Sequence, residues 1–303
     1  VAQNSYQKAE SLFINNQFEA AEPIFKEHLS TYPNDLKTLE YLGDIAGHKK
    51  QWDMAIGYYK KLVESQDDNA KYHYKYGGVL GMKALEVNKL KALTMISDIK
   101  SSFLKAAELD PNHIDVRWAL VEFYIQLPGI IGGSEKKAIN YANELENLSK
   151  VDGYLSKGYI AEYSNRPKDA EMYYRKAVNL GGSITCYQKL TDLYENTTKE
   201  PEKAISVIEE AQSIHHRNAL HYQLGKVSAQ YNTQLDKGMA CLEKYIENHS
   251  EKDGVPKSWA YYRIAQIYKH KGNKDQAIKY IDLALSEKDL KPFKKEKDHI
   301  LNM

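Results

Sequence analysis

No stretch of this chain approaches the roughly 18 consecutive apolar residues that span a bilayer. Its longest apolar runs stop after a handful. Cysteine is nearly absent: Cys186 and Cys241 stand alone, far apart in sequence, and support neither a disulfide framework nor a metal knuckle. They read as small buried hydrophobes. Only 8 prolines and 17 glycines interrupt 303 residues, which favours helices over many short strands. Neither sign of charge prevails, with 42 basic against 41 acidic residues and a net charge of +1. A nucleic-acid binder would need a basic face, so that class is not expected. Phe (6) and Trp (3) are scarce, whereas Tyr reaches 24. A ring with a wet hydroxyl suits half-buried packing positions and contact surfaces alike.

What is present is periodicity. Eight times a small residue is followed about a dozen positions later by another. An aromatic or aliphatic residue comes four positions further on, and a small or aliphatic one three beyond that. Gly43, Ala55, Tyr59 and Leu62 form one pass, Gly158, Ala170, Tyr174 and Ala177 another, and Ala265, Ala277, Ile281 and Ala284 a third. A period near 34 residues means stacked helix pairs, each too poor in apolar surface to stand alone. The units run about 2–35, 36–69, 70–113, 114–150, 151–183, 184–217, 218–257 and 258–287. Tyr32-Pro33-Asn34-Asp35 reads as a stop-and-restart signal, with proline ending one helix and Asn or Asp capping the next. The third unit carries 10 extra residues between Gly77 and Pro111, which lengthen its hairpin. The sixth and seventh, with Leu190, Ala204, Gly225 and Gly238, each need one extra turn residue. The lysine-rich remainder, 288–303, reads as a capping helix over the last apolar face.

These positions resemble the tetratricopeptide repeat over nearly the whole chain. The resemblance implies an all-α, right-handed superhelix of about sixteen helices with a C-terminal cap. The first helix of each unit, helix A, then lines a concave groove. The second, fifth, ninth and twelfth residues of helix A belong to one stripe. At the fifth position stand Tyr6, Glu40, Tyr74, Trp118, Leu155, Gln188, Tyr222 and Tyr262. At the ninth stand Glu10, Asp44, Gly78, Glu122, Tyr159, Asp192, Lys226 and Gln266, with Glu162, Tyr163 and Glu195 nearby. Rings and acids together predict a groove for an extended polypeptide with apolar and basic side chains. Packing of the rings against neighbouring helices is the competing expectation. Some relatives hold a peptide's terminal carboxylate with lysine and asparagine. Here Tyr6, Glu10 and Tyr41 replace those residues and only Lys71 and Lys75 match, so carboxylate capture is not expected.

Signals for chemistry are sparse. Leu127-Pro128-Gly129-Ile130-Ile131-Gly132-Gly133-Ser134 tempts a phosphate-loop reading, but it lacks the Gly-Lys-Ser/Thr ending and a preceding strand. A turn in which Pro128 ends one helix and Ser134 caps the next accounts for it better, with the Ile130-Ile131 tip free to tuck in or meet a partner. His215, His216 and His221 cluster without a helpful carboxylate or cysteine. No nucleophile sits in a recognisable signature. Sequons at Asn147, Asn196 and Asn248 matter only in a glycosylating host. The expected protein is a non-enzymatic scaffold binding a polypeptide partner, without cofactor or metal, and with self-association compatible. Absence of an initiator Met before Val1 favours an exported chain with its presequence removed. On that reading, a bacterial envelope assembly or secretion apparatus is an alternative. An enzyme or small-molecule sensor using the 128–134 loop or the histidines is the alternative of another class.

Overall fold

The structure is a computed structural model describing residues 2–303; Val1, on which part of the export expectation rests, lies outside them. Among the described residues there are seventeen α-helices and no strand. They divide into two compact units, one up to Ser149 and one from Lys150. The first holds α1 (Ala2–Ile14), α2 (Phe18–Thr31), α3 (Leu36–His48), α4 (Trp52–Ser65), α5 (Ala70–Glu86), α6 (Lys89–Leu109), α7 (Ile114–Gln126) and α8 (Glu135–Leu148). The second holds α9 (Lys150–Tyr163), α10 (Pro167–Leu180), α11 (Ile184–Asp192), α12 (Pro201–His215), α13 (Asn218–Tyr231), α14 (Leu235–Glu247), α15 (Lys257–His270), α16 (Lys274–Glu287) and α17 (Lys291–Leu301). Odd-numbered helices up to α15 are the A helices, and each packs on the even-numbered helix that follows.

The hairpins close by one recurring device. Asn16 (φ 60°), Lys50 (φ 57°), Asn165 (φ 58°) and Gly272 (φ 75°) follow an A helix in the left-handed region. The next residue's N–H then reaches back five positions: Gln17 to Leu12 O at 2.8 Å, Gln51 to Ala46 O at 2.9 Å, Arg166 to Ala161 O at 2.8 Å and Asn273 to Tyr268 O at 2.9 Å. These bonds satisfy carbonyls the helix end leaves open and turn the chain back on itself. The small residues of the repeat explain how closely the two helices approach. A methyl group at Gly158 would stand 2.4 Å from the Tyr174 ring, and one at Gly43 would stand 2.5 Å from Tyr59. Burial of Phe25, Tyr174, Leu145 and Tyr245 fills the interior of the stack, each contributing about 1.5–3 kcal/mol.

Departures from the period have local solutions. The long third hairpin is carried by extended helices, 17 residues in α5 and 21 in α6. In the seventh, two left-handed residues, Asn232 (φ 52°) and Gln234 (φ 48°), take up the extra length. The sixth absorbs its additional residue as a π-helical turn, Leu193–Thr197, at the end of α11. That widening buries three consecutive side chains, Leu193, Tyr194 and Glu195, which an α-helical turn would distribute around its circumference. Asp35 stands at the N-cap of α3 but makes no backbone capping bond. Its carboxylate instead accepts from Thr38 Oγ1 at 2.5 Å and pairs with His28 at 3.1 Å. The cap α17 buries Phe293 and Ile300 against the α15–α16 hairpin, and Lys269 pairs with its buried Glu296.

Candidate functional site

In the first unit the A helices lie side by side and exchange ion pairs across the gap. Lys37 Nζ is 2.7 Å from Glu10, and the Tyr41 hydroxyl donates to the same carboxylate at 2.7 Å. One repeat later, Lys71 and Lys75 both stand 3.0 Å from Glu40. Lys75 also donates to both Asp44 oxygens, at 2.8 and 2.9 Å. Tyr59 reaches up from α4 and donates to Asp44 at 2.5 Å. The hydrogen bond from Lys37 holds the Glu10 carboxyl below its ordinary range. Burial opposes the charge on Lys75, yet Asp44 and Glu40 outweigh it and raise its pKa. The expected negative groove is therefore neutralised here: three acids are matched by lysines of the following A helix. Lys71 and Lys75, which match two positions of a carboxylate clamp, are engaged by Glu40 and Asp44.

The rings divide between packing and surface. Tyr6 is half-buried against Phe25 (5.5 Å) and His28 (4.5 Å), and its hydroxyl lies 3.1 Å from Thr38 Oγ1, whose own proton goes to Asp35. Tyr74 lies against His113 at 4.9 Å, and burial pushes its pKa up. Trp118 is half-buried and Glu122 exposed on α7. In the second unit Tyr222 is buried against Tyr245 at 5.3 Å, so its ring serves packing. Tyr262 is partly covered by Phe293 of the cap, at 5.2 Å, and the Arg263 guanidinium lies 5.0 Å from its ring centroid. Tyr159 is half-buried and Tyr163 exposed, with their centroids 5.3 Å apart.

Around those two rings the second unit forms a notch of about 450 Å³, lined by Tyr159, Glu162, Tyr163, Tyr174, Lys189 and Asp192. Tyr174 crosses under Gly158 and donates its hydroxyl to Glu162 at 2.7 Å, while Thr197 of the π turn donates to the other oxygen at 2.9 Å. Among the described residues no cation stands within ion-pair distance of Asp192, and burial, then the charge of Glu195, raises its pKa. Glu195 is 1% exposed; Lys226 holds one of its oxygens at 3.0 Å, and the other has no partner. Tyr231 donates to the Glu195 carbonyl, fixing the turn to α13. The ninth- and twelfth-position reading brings Tyr159, Glu162, Asp192 and Lys226 together. The partners Lys37 and Lys189 were outside its candidate set and Lys75 entered only as a match to a carboxylate clamp, although Lys37 and Lys71 share the second position of their units and Lys75 and Lys189 the sixth, a readable signal.

The remaining sequence candidates lie elsewhere. The 128–134 loop is a tight turn: Gly133 N–H bonds Pro128 O at 3.0 Å, Ser134 N–H bonds Tyr124 O at 2.9 Å, and Gly132 adopts φ 111°. The Ser134 side chain caps α8 by accepting from Lys137 N–H. Its Ile130 is 96% exposed rather than tucked between helices. His215 bonds Gly182 O at 2.7 Å, His221 bonds Gln212 at 3.1 Å, and His216 is an exposed left-handed residue at the end of α12. Among the described residues no three His, Cys, Asp or Glu side chains gather as metal ligands. No helix among them is long and apolar enough to cross a membrane.

Comparison with known proteins agrees with this geometry. A tetratricopeptide repeat family model matches residues 151–180 and 260–288, the α9–α10 and α15–α16 hairpins. The solved tetratricopeptide repeat protein from Parabacteroides merdae is similar over 88% of this chain and 98% of its own, with a TM-score of 0.57 at 15% identity. The APC/C hetero-tetramer Cut9–Hcn1 matches over 97% of this chain and 54% of its own, with a TM-score of 0.50 at 16% identity. Among curated proteins, human protein O-mannosyl-transferase TMTC3 is 24% identical over 207 residues, 63% of this chain and 21% of the relative. The mouse protein of the same name is 23% identical over 180 residues, 56% of this chain and 19% of the relative. The chain thus spans about a fifth of the length of the curated relatives it matches. Taken with the paired helices, these likenesses show an all-helical repeat array with the fold of the solved tetratricopeptide repeat protein, and tetratricopeptide repeats at 151–180 and 260–288.

Proposed function

We propose that the chain is a non-enzymatic scaffold that holds a polypeptide partner against the faces of its A helices, favouring apolar and basic side chains. The observation that carries this reading is the register of those helices. Each brings its fifth and ninth residues to the same face, so half-exposed rings such as Tyr6, Tyr74, Trp118 and Tyr159 recur with charges between them. Rings with a polar edge bury large area at low entropic cost, which suits recognition of an extended chain. Neutralised acids in the first unit favour apolar contacts there, and the carboxylates around Asp192 favour a cation in the second.

A random-sequence peptide array probed with the intact chain tests the proposal. Binding should select a reproducible motif, and Trp118→Ala or Tyr163→Ala should weaken it about tenfold or more with little loss of melting temperature. Absence of any selected motif, or a Trp118→Ala protein that loses its fold while the folded fraction binds normally, refutes this use of the face.

A further inference from the structure

The residues that lengthen the third repeat build a tip that the other hairpins of the first unit lack. α5 has 17 residues where α3 and α7 have 13, and α6 has 21 where α4 and α8 have 14. At 1.5 Å per residue this hairpin runs roughly 6 Å or more past its neighbours. Four exposed aliphatic side chains stand on the tip: Met82 (42%), Leu85 (75%), Leu90 (78%) and Leu93 (45%). Gly77 packs against Phe103 and Ser102, so residues 77, 80 and 84 face α6 while 95, 99 and 103 face α5. By helical spacing, Met82 and Leu85 then point away from α6, and Leu90 and Leu93 away from α5. The tip is a wedge, apolar on both outer sides. Lysines surround it. Lys83 is tied to Asp53 of α4, which sets the tip beside the α3–α4 turn. Among the described residues Lys89 and Lys91, on either side of Leu90, make no ion pair. Glu86 is the single acid between 82 and 93. The next turn on the same edge carries Ile130, and the cleft shared by Lys100, Tyr124 and Lys137 places that turn next to α6. A methyl group at Gly133 would stand 1.7 Å from Leu127 O, so the turn that presents Ile130 is tightly closed.

A clustered, exposed apolar patch marks a contact surface. A second copy of the chain fits it poorly. Four aliphatic side chains fall short of the about 800 Å² per partner of a stable interface, and a two-fold axis at the tip would set Lys89 and Lys91 against their own copies. A flat protein partner would cover one outer side and leave the other in water. A medium that surrounds the wedge covers both. We propose that this tip, with Ile130 beside it, docks the chain on an anionic lipid surface. Leu85 and Leu90 enter the boundary of the acyl chains while Lys89 and Lys91 hold their ammonium groups at the lipid phosphates. The contact is interfacial: no helix among the described residues is long and apolar enough to span. It lies beyond the A-helix stripe and does not depend on the polypeptide-binding reading.

The test sediments the intact chain with phosphatidylcholine vesicles, with and without phosphatidylglycerol. Binding is expected with phosphatidylglycerol, and should fall about tenfold or more without it and weaken with added salt. Leu85→Asp/Leu90→Asp should abolish vesicle binding with an unchanged melting temperature, because both side chains already stand largely in water. Lys89→Gln and Lys91→Gln should each weaken it about fivefold. Leu180→Asp, at an aliphatic residue of α10 that is 55% exposed, should bind as wild type does. No binding to either vesicle, or wild-type binding by Leu85→Asp/Leu90→Asp, overturns the proposal. Equal binding to both vesicles refutes the anionic surface, and an equal loss in Leu180→Asp shows general stickiness and refutes the tip. Self-association in sedimentation velocity that the double variant removes, without lipid binding, reassigns the tip to a second copy. The double variant should select the same peptide-array motif as wild type, so failure of the lipid contact leaves the scaffold reading intact, and a changed motif refutes the separation of the two surfaces.

Discussion

Replacement of Gly158 by alanine isolates the contact on which the repeat depends. Alanine is the better helix former by about 1 kcal/mol, so an exposed site should gain. At Gly158 the new Cβ would stand 2.4 Å from Cε1 and 2.6 Å from Cδ1 of Tyr174. That ring is fully buried and its hydroxyl is anchored on Glu162 at 2.7 Å. It cannot retreat without giving up a hydrogen bond to a carboxylate worth about 1.5–3 kcal/mol. Forcing the helices apart costs about 1–3 kcal/mol for the overpacking. With the propensity gain subtracted, a net loss of up to about 2 kcal/mol is expected, a fall in melting temperature of about 2–4 °C per kcal/mol for a unit of this size. Gly57, on the exposed side of α4 with nothing within 4 Å of a methyl group placed there, is the control, and its alanine variant should melt higher than wild type. Thermal melts by far-ultraviolet circular dichroism, repeated with urea and a tyrosine-fluorescence probe, read both. A Gly158→Ala protein that melts with or above Gly57→Ala refutes the close-approach argument. In the double variant Gly158→Ala/Tyr174→Leu, the two losses should be less than additive, because the clashing ring is gone.

Three further outcomes follow from the same geometry. Because burial and Glu195 raise the Asp192 pKa, its ionised form is disfavoured in the fold relative to the unfolded chain. Asp192→Asn should therefore stabilise at neutral pH, and in urea midpoints the gain should shrink as pH falls through the raised folded-state pKa and be gone below the unfolded carboxyl value of about 3.9. Lys75→Met should cost about 1–3 kcal/mol by leaving Asp44 and Glu40 short of cations in a half-buried place. A double-mutant cycle with Asp44→Asn should recover part of that loss, and strict additivity would contradict the pairing. Removal of α17 uncovers the side of the α15–α16 hairpin that buries Phe293 and Ile300. Truncation before Leu290 should lower the melting temperature of the second unit and increase binding of a hydrophobic dye, whereas unchanged values would deny α17 a capping role.

Much of the fold could be read from residue spacing. Small residues a dozen apart, a tyrosine four beyond, and Pro or Asn at the junctions all report local geometry, and helix pairs form largely from neighbours in sequence. The extra residue of the sixth repeat was countable in the sequence, but whether it would lengthen a loop or widen a helix was not. That choice depends on Tyr231 and Thr197 seizing the turn from both sides. The A-face stripe was likewise legible as a set of positions, and Tyr159, Asp192 and Glu162 do share a place. Its charge was not. Acids read along the chain add up to a negative surface, yet Lys37 and Lys75 answer them from the next A helix, each about a repeat away.

By itself the sequence determined that this protein is a series of helix pairs, because a repeating pattern of small and bulky residues permits close crossing at each hairpin and leaves an apolar flank for the next. Only the tertiary structure decided which of the acids on the A face keep an unmet charge. Pairing there is set by which side chains neighbouring helices bring within a few ångströms, as when Lys75 reaches both Asp44 and Glu40 from the next A helix.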